Sequence, residues 1–184
     1  MKASKNGLIS QANRGMDFEQ LIDHCNRMYE RLGIAIINKR PTPIRITGRL
    51  SGGKVTGFFE KPSTVDYDGT YRGRSIVFEA KSTKELHRFP LNNLEAHQFE
   101  YMEKCHTFGN AIAFVLIEFE AHRTVYLMPF ITLKHFWQGT TKNGRGKGSI
   151  PLSALDVNAW EVGPGKVPID YLAVVDKVWR LDAA

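Results

Sequence analysis

The chain has 184 residues, of which 42% are hydrophobic and 24% charged, enough for one domain with a proper core. Its 25 Lys and Arg against 19 Asp and Glu leave a net charge of +6, which points to a polyanionic partner, nucleic acid before membrane. No apolar run reaches the ~18 residues of a membrane span, and the polar N-terminus lacks the apolar core of a signal peptide, so a cytoplasmic protein is expected.

Residues 1–12, with Lys2 and Lys5, read as a flexible basic arm, and 13–184 as a single domain. Asn13 is placed to cap a helix over 16–32. Its Phe18, Leu21, Ile22, Cys25, Met28, Tyr29 and Leu32 recur at three- and four-residue steps until Gly33 stops it. Glu19 in the first turn either faces a metal site or simply suits the helix dipole, which accounts for it alone. A short strand over 34–38 follows, then Lys39-Arg40-Pro41-Thr42-Pro43 breaks regularity.

Two β-prone runs, 44–50 and 55–59, are joined by Ser51-Gly52-Gly53-Lys54 and form a hairpin. It carries Arg45, Arg49 and Lys54, with Phe58 and Phe59 pointing to opposite sides of one strand. That composition suits insertion between DNA arms or bases. A plain surface hairpin with one ring in the core fits equally well.

After a strand over 74–81, Phe89-Pro90-Leu91 leads into a second helix over 92–107. Gln98 interrupts its inner stripe of Leu94, Tyr101, Met102 and Cys105 where Leu is expected. Residues 111–119 are continuously apolar, as in a central strand covered on both faces, and 124–128 return beside them. A helix over 130–137, a loop over 138–149 and a last helix within 168–181 complete the chain. The loop, QGTTKNGRGKGS, offers Lys142, Arg145 and Lys147 as phosphate contacts. This order of elements describes an α/β fold with a mixed central β-sheet flanked by helices. Cys25 and Cys105 fall on helical apolar stripes and make neither a disulfide framework nor a zinc site.

Chemistry concentrates in residues 63–81, STVDYDGTYRGRSIVFEAK. Ile76, Phe78 and Ala80 share one face of a strand, so Val77, Glu79 and Lys81 share the other. A carboxylate and an ammonium inside an apolar strand are costly to bury without a partner. A divalent cation is one such partner, and Asp66 can supply a second oxygen, since Mg²⁺ takes one or two carboxylates with retained waters. Lys81 is then placed to stabilise charge on a phosphate or to help deprotonate a water. These are the parts of a metal-dependent phosphodiesterase, although Glu-x-Lys alone also describes an ordinary surface strand.

Further blocks resemble one family. They are Asn13-Arg14-Gly15-Met16, Lys39 with Pro41-Thr42-Pro43, Ser63-Thr64-Val65-Asp66-Tyr67-Asp68-Gly69 and Tyr71-Arg72-Gly73-Arg74. Phe78-Glu79-Ala80-Lys81, Phe89-Pro90-Leu91, His97-Gln98 and Ile169-Asp170-Tyr171 continue the series in order. With these the chain resembles the RecU-type Holliday junction resolvases, a branch of the PD-(D/E)xK nuclease superfamily. The resemblance implies a restriction-endonuclease-like fold with a protruding hairpin stalk at 44–59 that enters the junction. It implies metal-binding carboxylates at Asp66 and Glu79, with Thr64 and Gln98 in the metal shell, and Lys81 as the transition-state lysine. Glu19 matches a helix-borne acid of related nucleases. Mg²⁺ is the implied cofactor, with Mn²⁺ able to substitute, and a homodimer on four-way junction DNA the implied assembly. A recombinase is the further partner such a protein would meet. DNA contacts are expected from Arg14, Arg45, Arg49, Lys54, Phe58, Phe59, Lys142, Arg145 and Lys147. The implied activity is resolution of four-way junctions by paired symmetric nicks in recombination and repair. The alternatives are a non-catalytic junction-binding or strand-annealing protein, and a restriction-type nuclease cutting linear duplex.

Overall fold

The computed structural model describes residues 17–61, 63–141 and 148–181. Helix α1 (Phe18–Arg31) leads into strand β1 (Ala35–Lys39). A separate hairpin of β2 (Ile44–Arg49) and β3 (Val55–Phe59) follows, then β4 (Tyr67–Tyr71) and β5 (Arg74–Thr83). Short β6 (Arg88–Pro90) and a turn at Leu91–Asn93 precede α2 (Ala96–Gly109), β7 (Ile112–Phe119), β8 (Thr124–Pro129) and α3 (Phe130–Thr141). The chain ends in β9 (Ser149–Pro151), α4 (Leu152–Asn158), β10 (Trp160–Val162) and α5 (Tyr171–Trp179).

Six strands form one sheet in the order β1-β4-β5-β7-β8-β10, with β6 and β9 paired apart. Only β5 and β7 run parallel, joined by the α2 crossover; the other neighbours are antiparallel. Apolar side chains alternate along β5, so the sheet builds a core on each face. Ile76, Phe78 and Ala80 pack with α1 and α5, while Val77 packs with α2 and α3 on the other side. The mixed, helix-flanked sheet expected from the sequence is what the structure shows.

Register across the sheet centre is pinned by stacked rings. Tyr67 of β4 lies opposite Phe78 of β5, which lies opposite Phe114 of β7. Each successive pair of centroids is 4.8 Å apart with planes within 12° of parallel. Such pairs contribute about 0.5–1.5 kcal/mol beyond area burial. Because Asp66 precedes Tyr67 and Glu79 follows Phe78, the ring ladder also fixes where the two carboxylates meet.

Between Asp66 and β5 the structure places a strand, β4, and then a tight turn. Gly69 sits inside β4, where a β-carbon would run into the Ile36 carbonyl of β1, and only the bare backbone allows that approach. The turn is confined to Arg72 and Gly73, both at positive φ (48° and 71°). The first turn expected of the second helix is instead the short 3₁₀ turn at Leu91–Asn93. Cys25 is buried, but Cys105 is only half-buried.

The β2–β3 hairpin makes no core. Phe58 and Phe59 are 53% and 71% exposed, so the version with one ring inside is excluded. Phe59 lies opposite Ile44 on a face shared with Ile46 and Val55, and Phe58 lies opposite Arg45 on the other.

Candidate active site

Three backbone segments meet at the middle of β5. Glu79 projects from the α2 face of that strand and is completely buried. Asp66 comes from the loop before β4, and Lys81 from one alternation further along β5. The Lys81 Nζ donates to Asp66 Oδ2 at 3.0 Å and lies 2.7 Å from Glu79 Oε2. Glu79 is further clamped by the Asp66 backbone N–H to Oε1 at 2.9 Å. The Ala80 N–H reaches back to Asp66 Oδ2 at 3.2 Å.

Gln98 supplies the last contact. Its Oε1 accepts the Glu95 N–H at 3.0 Å as half of the capping box that opens α2. Its Nε2 donates to Glu79 Oε2 at 2.7 Å. Both bonds fix the amide's orientation, because a backbone N–H needs the oxygen and a carboxylate needs the N–H₂. The resemblance put Gln98 in the metal shell; here it presents to the site a donor that holds Glu79. The interruption in the apolar stripe of α2 is thereby explained.

Electrostatics follow from this crowding. Burial, then hydrogen bonding to Asp66, pushes the Glu79 pKa up to about 9, with Lys81 pulling the other way. Burial also works to raise Asp66, but its bonding with Glu79 and the Lys81 charge outweigh it and hold Asp66 below its ordinary value. Lys81 is raised: burial opposes its charge, and the two carboxylates prevail.

The other candidate residues lie around this centre. Glu19 lines an open groove of about 490 Å³ with Lys81, and its carboxylate pairs with Lys39 at 2.5 Å. Thr64 Oγ1 accepts from Arg40 Nη1 at 2.8 Å, and Arg40 also bridges to Asp68 at 2.8 Å. Arg45, Arg49, Lys54, Phe58 and Phe59 are on the hairpin, away from the carboxylates along the chain. Arg14, Lys142, Arg145 and Lys147, and the arm at 1–12, lie outside the described residues. Among the described residues no three His, Cys, Asp or Glu side chains converge as a ready metal site, and no helix is long and apolar enough to cross a membrane. Lys39 and His97 stood in the matching blocks and Arg40 beside one, but nothing in the sequence assigned any of them a role at the site. His97 bonds the Ser63 carbonyl at 3.0 Å and so ties α2 to the Asp66 loop.

An Asp on the loop before one strand and Glu-x-Lys on its neighbour meet at the centre of a mixed sheet, the arrangement that the resemblance implied. The family model RecU, Recombination protein U, matches residues 13–177. A protein of Streptococcus sanguinis named Holliday junction resolvase RecU is 36% identical over 177 residues, 93% of this chain and 86% of that protein. A protein of the same name from Staphylococcus saprophyticus is 37% identical over 176 residues, 92% of this chain and 83% of its own. The chain belongs to the RecU family. Among solved structures, Hjc, a Holliday junction resolvase of Archaeoglobus fulgidus, aligns at TM-score 0.43 and 15% identity, over 75% of this chain and 91% of its own.

Proposed function

We propose that this chain is a structure-selective, Mg²⁺-dependent endonuclease that resolves four-way DNA junctions by paired symmetric nicks, acting as a cytoplasmic homodimer in recombination and repair. The observation that carries this reading is the convergence of Asp66 and Glu79 oxygens on one cationic centre, at 3.0 and 2.7 Å from Lys81 Nζ. The names of the RecU relatives supply the substrate.

The donor set fits a hard dication. The two carboxylates come from different segments yet aim at one point, and a positive group already sits there. Asp66 is partly open to solvent, which leaves room for the waters Mg²⁺ keeps. Asp66 and Glu79 would hold the ion, and Mn²⁺, which takes the same oxygen donors, is expected to substitute. When bound, the ion polarises the scissile phosphate and supplies an activated water.

The chain's own residues do the rest. Gln98 and the Asp66 N–H keep Glu79 aimed. Lys81, freed from the carboxylates, offsets charge on the phosphate oxygens as in-line attack proceeds. Glu19 borders the same groove, where the DNA strand would lie. A twofold dimer presents two such sites to a near-twofold junction, so paired nicks follow from symmetry.

Purified Glu79→Gln and Asp66→Asn are expected to lose cleavage of a labelled four-way junction by more than about 10³-fold while retaining junction binding. Full cleavage by either variant ends the assignment.

A further inference from the structure

The groove beside Lys81 does not end at the catalytic strand. It shares Ser82 and Asn93 with a larger open trench of about 1140 Å³, which runs past Lys84 and Arg88 to Gly148 and Ser149. Its wall is the β6–β9 ladder, in which Phe89 lies opposite Ile150 and both are fully buried, so it stands on core contacts. The stretch that builds it leaves β5 at Thr83 and runs through the turn ending at Asn93 into α2, whose Gln98 holds Glu79. Trench and catalytic centre are therefore built by one continuous stretch of chain.

The trench is lined by two cations, Lys84 and Arg88, and two acids, Glu85 and Glu120, so what it offers a phosphate is local: Lys84 with the amide of Asn93. Lys84 is exposed and forms no ion pair among the described residues. Arg88 is steadied at 3.1 Å by Glu85. Asn93 Nδ2 reaches the Ser82 carbonyl at only 3.4 Å, so its amide is barely engaged. Extended backbone advances about 3.3 Å per residue, which places Lys84 up to about 10 Å beyond Lys81. That is the length of one or two nucleotides of strand.

We propose that this trench is a backbone-binding subsite in which Lys84 and Asn93 hold a phosphate of the cleaved strand one or two positions from the scissile one. The proposal rests on the nuclease reading above and assigns the path the strand takes away from Lys81.

The test compares wild type with Lys84→Ala, Asn93→Ala, the charge-retaining Lys84→Arg, and Lys104→Ala. The last removes an exposed lysine of α2 outside the trench. Affinity for a labelled four-way junction is measured without metal across a salt series, and thermal melts confirm folding. Single methylphosphonates are then placed along the strand near the nick. Lys84→Ala is expected to weaken binding about five- to twentyfold at low salt and lower the salt slope by about one, with Lys84→Arg close to wild type. Asn93→Ala is expected to weaken binding less, with no change in slope. One methylphosphonate should weaken wild type by the same factor and add nothing to Lys84→Ala. Unchanged affinity in Lys84→Ala, a loss no larger than that of Lys104→Ala, or full additivity with every methylphosphonate overturns the subsite. A wild type that nicks neither junction nor duplex would instead overturn the nuclease reading, and the affinity series would still decide the trench.

Discussion

At the scale of single residues, the site is a contest between burial and charge. Glu79 has no exposed surface and shares its surroundings with a second carboxylate, so the metal-free protein holds a proton there up to about pH 9. The unfolded chain releases that proton in the ordinary glutamate range. This group therefore erodes metal-free stability as pH rises from that range to about 9, and a bound dication removes the penalty. Titration calorimetry with Mg²⁺ in buffers of different ionisation enthalpy should show about one proton released per ion near neutral pH, falling away above the Glu79 value. Apparent affinity should rise with pH over that interval; a pH-independent affinity would contradict the picture. Gln98→Ala removes the clamp on Glu79 and is expected to lower cleavage about 10- to 100-fold with little loss of junction affinity. Unaltered cleavage would show that the amide serves only the helix cap. Glu79 and Lys81 were legible in the sequence because an acid and a lysine interrupt an apolar strand; Asp66, outside that strand, was legible only as a nearby acid. The Glu19–Lys39 and Thr64–Arg40 pairs were not, since nothing local marks partners 20 and 24 residues apart.

At the scale of elements, the long periodic segments were readable and the short ones were not. Helix α1 and strand β7 announce themselves through stripe and run. Strand β4 was hidden because Asp68 and Gly69 carry turn chemistry, and its pairing with β1 is decided by a backbone approach that composition does not reveal. Strands β6, β9 and β10 are three residues each, too short for any period to register. The hairpin was visible in its turn residues, but only the structure shows that both rings stand in solvent. Truncating Phe58 or Phe59 to Ala should therefore leave thermal stability near wild type, far from the ~3–5 kcal/mol of a buried Phe. The same changes should weaken junction binding severalfold, by loss of ring contact with bases. A large drop in melting temperature would show instead that these rings are packed in the folded protein.

At the scale of the whole molecule, a chain of net charge +6 buries one carboxylate of the catalytic cluster, Glu79, completely and leaves most of its other charges at the surface. On the proposed reading, binding and cutting are separate properties: the net positive charge favours a polyanion, and the Asp66–Glu79–Lys81 cluster cuts it. Affinity should consequently fall with salt for junction and duplex alike, while cleavage should depend on the ion and on DNA shape. The most direct measurement is cleavage of a labelled four-way junction and of linear duplex by the wild-type protein, each with Mg²⁺ and with a chelator. Paired nicks in the junction, confined to the reactions with Mg²⁺ and absent from duplex, are expected. Equal cutting of duplex, or nicking that survives the chelator, would contradict a metal-dependent resolvase built on Asp66, Glu79 and Lys81.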